Sequence, residues 1–524
     1  MSSPPEPAFA PTDPEAATEI GRRVTELIAG YMDLQAEQRV TDPTPIAELR
    51  ALFDEPLPRT PTPAADLLDR FEQDILPHCT VSTSPRYFGL LNPAPVPLGI
   101  FADALASALN QNQAAAHHSP SGSVVEETVI RWLGEATGYG ADCWGHLTSG
   151  GTAANMTGVK LALHRAAPEV RTRGLLAAGR QFTLYASDQA HYSIERSADV
   201  LGLGQQAVRL IPAGADARLD PGDAARAIER DRAAGLEPLV LVGIAGTTAA
   251  GAIDPLPELA DLAEREGLWF HIDAAYGGAM ALCRTHPGRL AGIERADSIT
   301  VDAHKWFSIP FVAGGVLFRD RNHALAAFRH AATYIPASEG SEVPPTEWYQ
   351  EGLAGSRRFD ALKVWMTLKH VGSDAYSDLV DRQMRLTEMT ADRLALMPDI
   401  RIAVPPQTAI VTFRYEPAGL SARLAAATAR ERAGARDDES AQIGDELDTG
   451  TVQSILAERD ELQQRLAALI QAEGRFWISA APIPGGSALR LNVISHFTTE
   501  ETIEEFLAYL PEAISRFPSN QSPC

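Results

Sequence analysis

The sequence predicts an α/β protein built on a mostly parallel sheet flanked by helices. Three observations carry that expectation. Between about Ser119 and Pro344, short β-rich runs (FTLYAS, AVRLIP, PLVLVGIAG, LWFHIDAA, SITVDAH and GGVLF) alternate with helix-spaced stretches, and such alternation implies parallel strands joined by crossover helices. Ahead of them the apolar spacing is helical, and behind them lies a shorter mixture of strand-like and helical segments. A chain of 524 residues, 45% hydrophobic and 22% charged, can bury a large core and divide into more than one domain.

Taken in order, residues 1–18 begin with a stretch rich in Pro, Ala and Ser and read as a disordered tail, without the basic start and apolar run of a secretory signal. Residues 19–118 read as a helical N-terminal arm. Helical spacing runs from Ile20 to about Gln38 and from Ala64 to Ile75, with Pro43, Pro45, Pro56, Pro58, Pro61 and Pro63 as connectors. Residues 119–390 form the large domain, with ligands expected at the carboxyl ends of its strands. Residues 391–518 form a small C-terminal α/β domain containing strand-like TAIVTFRY and ALRLNVI, a helix from about Ile455 to Ala472 and a closing helix from Thr499 to Leu510. Its residues 430–450 (RERAGARDDESAQIGDELDTG) are polar, lack apolar spacing and read as an exposed insertion.

Bulk properties narrow the function. A formal net charge of −23 without a Lys/Arg cluster argues against nucleic acid and anionic membranes as partners. The one long apolar stretch, Pro238 to Ile253, is broken by Gly243, Gly246 and Gly251 and reads as a buried strand running into a loop, not a membrane span. Cys79, Cys143, Cys283 and Cys524 are far apart and form no CxxC pair, which argues against a metal site and a disulfide framework and fits a reducing cytoplasm.

Four places carry chemistry. In Thr148-Ser149-Gly150-Gly151-Thr152, small residues open a helical run, so backbone N–H groups can converge on an anion; alone, such a Gly-Gly step is an ordinary turn. Asp273, in HIDAAYGG, ends a buried strand, where a carboxylate is costly unless it meets a cation; alone, it could cap a turn. Lys305, in DSITVDAHKW, follows another strand, where desolvation would free its amine to form an imine with a carbonyl cofactor, although most lysines lie on surfaces. His191 follows FTLYAS, where a lone histidine is commonly structural.

Together these signals supply a phosphate cradle, a ring stacker, a pyridinium partner and an imine lysine in one βα series. The chain resembles the group II pyridoxal-5'-phosphate (PLP) dependent amino-acid decarboxylases, the family of aromatic-L-amino-acid, histidine, glutamate and diaminobutyrate decarboxylases. The resemblance is carried by SPRYFG, TSGGTAAN, HYS, GTT, HIDAAYGGA, DSITVDAHKW, TYI, SRRFDALKVW and ALRLNVIS, from about Ser84 to residue 495. It implies PLP fold type I, the aspartate-aminotransferase fold. It also makes Lys305 the cofactor lysine, Asp273 the pyridinium partner, His191 the stacked imidazole and Ala275 the small residue on the other ring face. Gly150, Gly151, Thr152 and Ser298 match the phosphate holders, Thr248 a residue near the cofactor's 3'-oxygen, and His304 a position contacting the cofactor region. Asp302 departs from the family, which often has Asn there. An anion facing a phosphate dianion is unfavourable, so Asp302 is expected to point elsewhere.

The implied reaction is loss of the α-carboxylate of an L-amino acid. His191 is expected to hold that carboxylate, and Tyr334, on a loop covering the site across a homodimer, to protonate Cα. Family members with Phe at the tyrosine position tend toward oxidative release of an aldehyde. By alignment the substrate pocket comprises Leu90, Leu91, Asn92 and Ser356, with Asn112 and Ala114 from the partner subunit. The pocket offers no obvious cation for a γ-carboxylate beyond Arg86, which flanks it, and this favours an aromatic L-amino acid, with glutamate or 2,4-diaminobutyrate as alternatives. A related PLP enzyme such as an aminotransferase, or a non-catalytic homologue acting as a binding protein, would be the competing readings.

Overall fold

The computed structural model describes residues 13–330, 346–437 and 449–517. The chain divides into two compact units, each taken by itself.

The larger unit comprises residues 90–464 and 479–496. Its main sheet has seven strands: β1 (Trp144–Thr148), β2 (Phe182–Ser187), β3 (Val208–Ile211), β4 (Glu237–Ile244), β5 (Trp269–Asp273), β6 (Ser298–Asp302) and β7 (Gly314–Phe318). Their order is β1-β7-β6-β5-β4-β2-β3. Strands β6, β5, β4, β2 and β3 run parallel, whereas β7 is antiparallel to both its neighbours. Strands β2, β5, β6 and β7 are buried along their whole length, as a sheet covered on both faces requires. The β-rich runs expected from the sequence all become strands of this sheet. β1 is not among those runs: Gly145 and His146 are weak strand formers, yet both are buried against β7.

A second, antiparallel sheet in the same unit contains β8 (Ile400–Val404), β9 (Ile410–Tyr415), β10 (Ser479–Ile483) and β11 (Gly486–Asn492), in the order β10-β11-β9-β8. The helix Ala418–Asp437 extends well into the stretch 430–450 read as an insertion, and the helix Thr449–Glu473 begins at its end. Residues 438–448 lie outside those described.

The smaller unit gathers residues up to Gly89 with residues 465–478 and those from Phe497 onward. Its first helix, Pro14–Leu34, starts inside the expected tail because Asp13 caps it, accepting from the Glu15 N–H. Phe88 stacks on Phe476 at 6.1 Å and meets Phe506 edge-on at 5.6 Å, and its N–H donates to the Trp477 carbonyl. This burial joins segments distant in sequence, so the units do not follow the consecutive domains expected from the sequence.

At the start of β7 a Cβ on Gly314 would lie 2.5 Å from the Gly150 Cα and 2.8 Å from Asp302 Oδ1. Backbone cannot give way there. Gly314→Ala is therefore expected to destabilise the protein by about 1–3 kcal/mol, measured as a lowered urea midpoint; an unchanged midpoint would show that the approach has slack.

Candidate active site

The parallel strands deliver their carboxyl ends to one cleft, lined by Gly151, Thr152, Asn155, Gln189, His191, Ile244, Gly246, Thr248, Asp273, Ala275, Tyr276, Asp302 and Lys305. Gly150 borders it as the residue before the helix Gly151–Ala166. Its φ of 121° is one that side-chain-bearing residues rarely adopt, and no side-chain oxygen caps the helix. The first amides of a 16-residue helix thus face the cleft, where the helix dipole favours an anion.

Asp273 closes β5 and is 8% exposed. Its Oδ1 accepts the Ala275 N–H at 3.1 Å and its Oδ2 accepts from Asn155 Nδ2 at 2.9 Å. Asn155 lies in the first turns of the helix after Gly150, inside the TSGGTAAN motif, where nothing in the sequence alone sets it apart. His191 sits between β2 and the helix Ser193–Val200. Its Nδ1 lies 2.8 Å from the Ser193 hydroxyl. Burial lowers its pKa, with the Asp273 carboxylate opposing that shift.

Lys305 is held by the turn that follows β6. Its N–H donates to the Asp302 carbonyl, and its neighbour Trp306 is buried, stacked on Tyr276 at 5.1 Å, with its indole N–H donating to Gln383 Oε1 at 2.6 Å. The ammonium lies 3.0 Å from Asp302 Oδ2.

Two expectations need correction. Asp302 does not point away from the cleft: it lines it, beneath Gly151, where an added Cβ would fall 2.8 Å from Asp302 Oδ2. The reason is the ion pair with Lys305, which offsets burial of the carboxylate. Ser298 cannot hold a phosphate in the cleft. It opens β6, four residues and roughly 13 Å from Asp302, where it is fully buried between Trp269 Nε1 and His271 Nδ1, both at 2.8 Å.

His304 is buried beside the cleft and does not line it; its Nδ1 accepts the Ala313 N–H at 3.2 Å and its Nε2 lies 3.7 Å from Asp302 Oδ2. Burial lowers its pKa. Tyr334 lies outside the described residues.

The six expected substrate positions do not line this cleft within one chain. Leu91 belongs to the main hydrophobic core, whereas Leu90 is 56% exposed. Asn92 Oδ1 is buried and has no hydrogen-bond partner among the described residues. Asn112 Oδ1 accepts the backbone N–H groups of Ala114 and Arg357, both at 3.1 Å. Ala114 is buried, and Ser356 lines a separate cavity with Ser149 and Trp348.

The donor set fits PLP: an uncapped helix start for a phosphate, a buried carboxylate for a ring N–H, an imidazole and a methyl group for the ring, and an amine for the aldehyde. Comparison with known proteins agrees. Residues 46–416 match the family described as the pyridoxal-dependent decarboxylase conserved domain. The L-2,4-diaminobutyrate decarboxylase of Rhizobium meliloti (strain 1021) is 35% identical over 73% of this chain and 78% of that protein. The aromatic-L-amino-acid decarboxylase of Bacillus atrophaeus is 31% identical over 78% of this chain and 83% of its own length. A solved structure of mouse CSAD superposes with a TM-score of 0.83 at 25% identity, covering 96% of this chain and 99% of that one. With this fold and these relatives, the chain belongs to the pyridoxal-dependent decarboxylases: it is a carboxy-lyase that uses PLP to decarboxylate an amino acid.

Proposed function

We propose that this decarboxylase acts on an aromatic L-amino acid, releasing the corresponding amine, and that it works as a cytoplasmic homodimer. The observation that carries the substrate reading is the charge of the cleft. Among its described lining residues Lys305 is the one Lys or Arg, and it is already paired with Asp302. A side-chain carboxylate would be buried without a counter-ion, at a cost of several kcal/mol. Arg86, which flanks the aligned pocket positions, is engaged by Glu505 at 3.0 Å and by the Ala36 carbonyl. Leu90 offers apolar surface, and the partnerless Asn92 Oδ1 would accept a phenolic O–H or an indole N–H. A second reading, 2,4-diaminobutyrate, is favoured by the Rhizobium relative, and the same Asn92 oxygen could accept from an ammonium.

Bound PLP supplies the electron sink for the charge left at Cα when CO2 departs. The chain's own residues do the rest. Lys305 anchors the cofactor, and the amides of Gly151 and Thr152 hold its phosphate. Asp273 keeps a proton on the ring nitrogen, which requires a carboxylate fixed by donors, here Ala275 N–H and Asn155 Nδ2. His191 and Ala275 would flank the ring. His191 would also hold the substrate carboxylate, and that orientation would select decarboxylation over competing bond cleavages. Tyr334 delivers the proton to Cα, which needs a phenol within hydrogen-bond reach while water is excluded.

Three experiments test this reading. In a screen of the proteinogenic amino acids with DOPA, cysteine sulfinate and 2,4-diaminobutyrate, amine production is expected with the highest kcat/KM for an aromatic substrate; a preference for 2,4-diaminobutyrate or glutamate would overturn the assignment. After borohydride reduction, wild-type protein should carry the cofactor covalently on the peptide containing Lys305, and Lys305→Ala should carry none; labelling of the variant would move the anchor elsewhere. Tyr334→Phe should still bind PLP and release CO2, but in air should consume oxygen and divert product from amine to aldehyde, ammonia and hydrogen peroxide. Wild-type amine output without peroxide would remove Tyr334 from the role.

A further inference from the structure

Beneath the cleft, buried polar groups form one continuous chain of hydrogen bonds. Asn155 is its junction: Nδ2 donates to Asp273 Oδ2 at 2.9 Å and to the Ser193 hydroxyl at 2.8 Å. Its Oδ1 lies 2.6 Å from the Thr300 hydroxyl and 3.0 Å from His271 Nε2. Asn155, Ser193, His271, Ser298 and Thr300 are all at most 1% exposed, so no bulk water supplies alternative partners.

The direction of every bond in this network follows from its ends. An ionised Asp273 only accepts, so Asn155 must turn its amide NH2 toward it. The Asn155 oxygen then faces His271, whose Nε2 must donate. Burial lowers the pKa of His271, so the ring is neutral and its Nδ1 is bare. Ser298 therefore donates to that Nδ1 at 2.8 Å while its oxygen accepts from Trp269 Nε1, a group that can only donate. The two ends, Asp273 and Trp269, agree on one assignment.

On the other branch, both Asn155 N–H groups are spent, on Asp273 and on Ser193. The Ser193 oxygen accepts, and its own O–H is left to donate to His191 Nδ1 at 2.8 Å. The backbone N–H of Ser193 points at the same nitrogen at 3.3 Å. Two donors converge on Nδ1, leaving no room for a proton on it.

We propose that Asn155 and Ser193 are positioning residues that fix the tautomer of His191, placing its proton on Nε2. The histidine thus presents to the cleft a nitrogen that can donate to a carboxylate and cannot abstract a proton from Cα. The same amide that steadies Asp273 sets this proton, so the two cofactor-facing groups are oriented by one side chain. The inference deepens, and rests on, the reading that His191 faces the substrate carboxylate.

The test uses holoenzyme labelled with 15N-histidine, with the His191 signals identified by their loss in His191→Gln. Wild type should show a protonated-type Nε2 and a bare-type Nδ1. In Ser193→Ala the two signals should move toward each other as the tautomers mix, and kcat/KM should fall roughly tenfold, the worth of one buried hydrogen bond. Ser193→Thr, which keeps the hydroxyl, should restore both readouts. A protonated Nδ1 in wild type, or an unchanged spectrum in Ser193→Ala, would overturn the proposal. A mixed tautomer in Ser193→Ala with wild-type kcat/KM would support the assignment of the proton and instead sink the carboxylate role of His191.

Discussion

An ionised carboxylate at the end of a buried parallel strand is the constraint from which the site follows. Asp273 is nearly enclosed, and removing such a charge from water costs several kcal/mol unless donors and a cation replace the solvent. Two donors are built in, the Ala275 N–H and the Asn155 amide. A bound cofactor with a protonated ring nitrogen would supply the cation. Fixing Asp273 in turn fixes Asn155, and Asn155 ties together the helix Gly151–Ala166, β5, β6 and the start of the helix Ser193–Val200. The start of the helix Gly151–Ala166 and His191 are therefore registered to the same carboxylate.

A second charge is handled differently. Asp302 and Lys305 neutralise each other at 3.0 Å. Were the lysine amine taken up in binding the cofactor, Asp302 would lose part of that compensation. Among the described residues, Asp302 Oδ1 is buried without a hydrogen-bond partner.

Much of the fold is legible in the sequence because the central strands are apolar runs of five to eight residues bounded by turns, which is what burial on both faces selects. The residues at the strand ends are legible for the same reason: Asp273 and Lys305 stand out as charges where apolar residues should be. What escapes the sequence depends on meetings between distant segments. Asn155 reads as one more polar residue in a helix until two strands and the start of a second helix converge on it. Ser298 lies close to Lys305 in sequence, but the strand carries it to the opposite end of the sheet. Asp302 reads wrongly because the sequence does not show that Lys305, three residues on, pairs with it. β1 contains Gly145 and His146, and only its pairing with β7 makes it a strand.

The smaller unit has a consequence for how the protein is made. Phe88 finds its ring partners at Phe476 and Phe506, and at a synthesis rate of about 5–20 residues per second those partners leave the ribosome tens of seconds later. During that interval Phe88 lacks both ring partners, while strands β1 to β7 of the larger unit have been synthesised. The strands of the main sheet, the last of which ends at Phe318, are thus synthesised well before Phe88 can meet either ring.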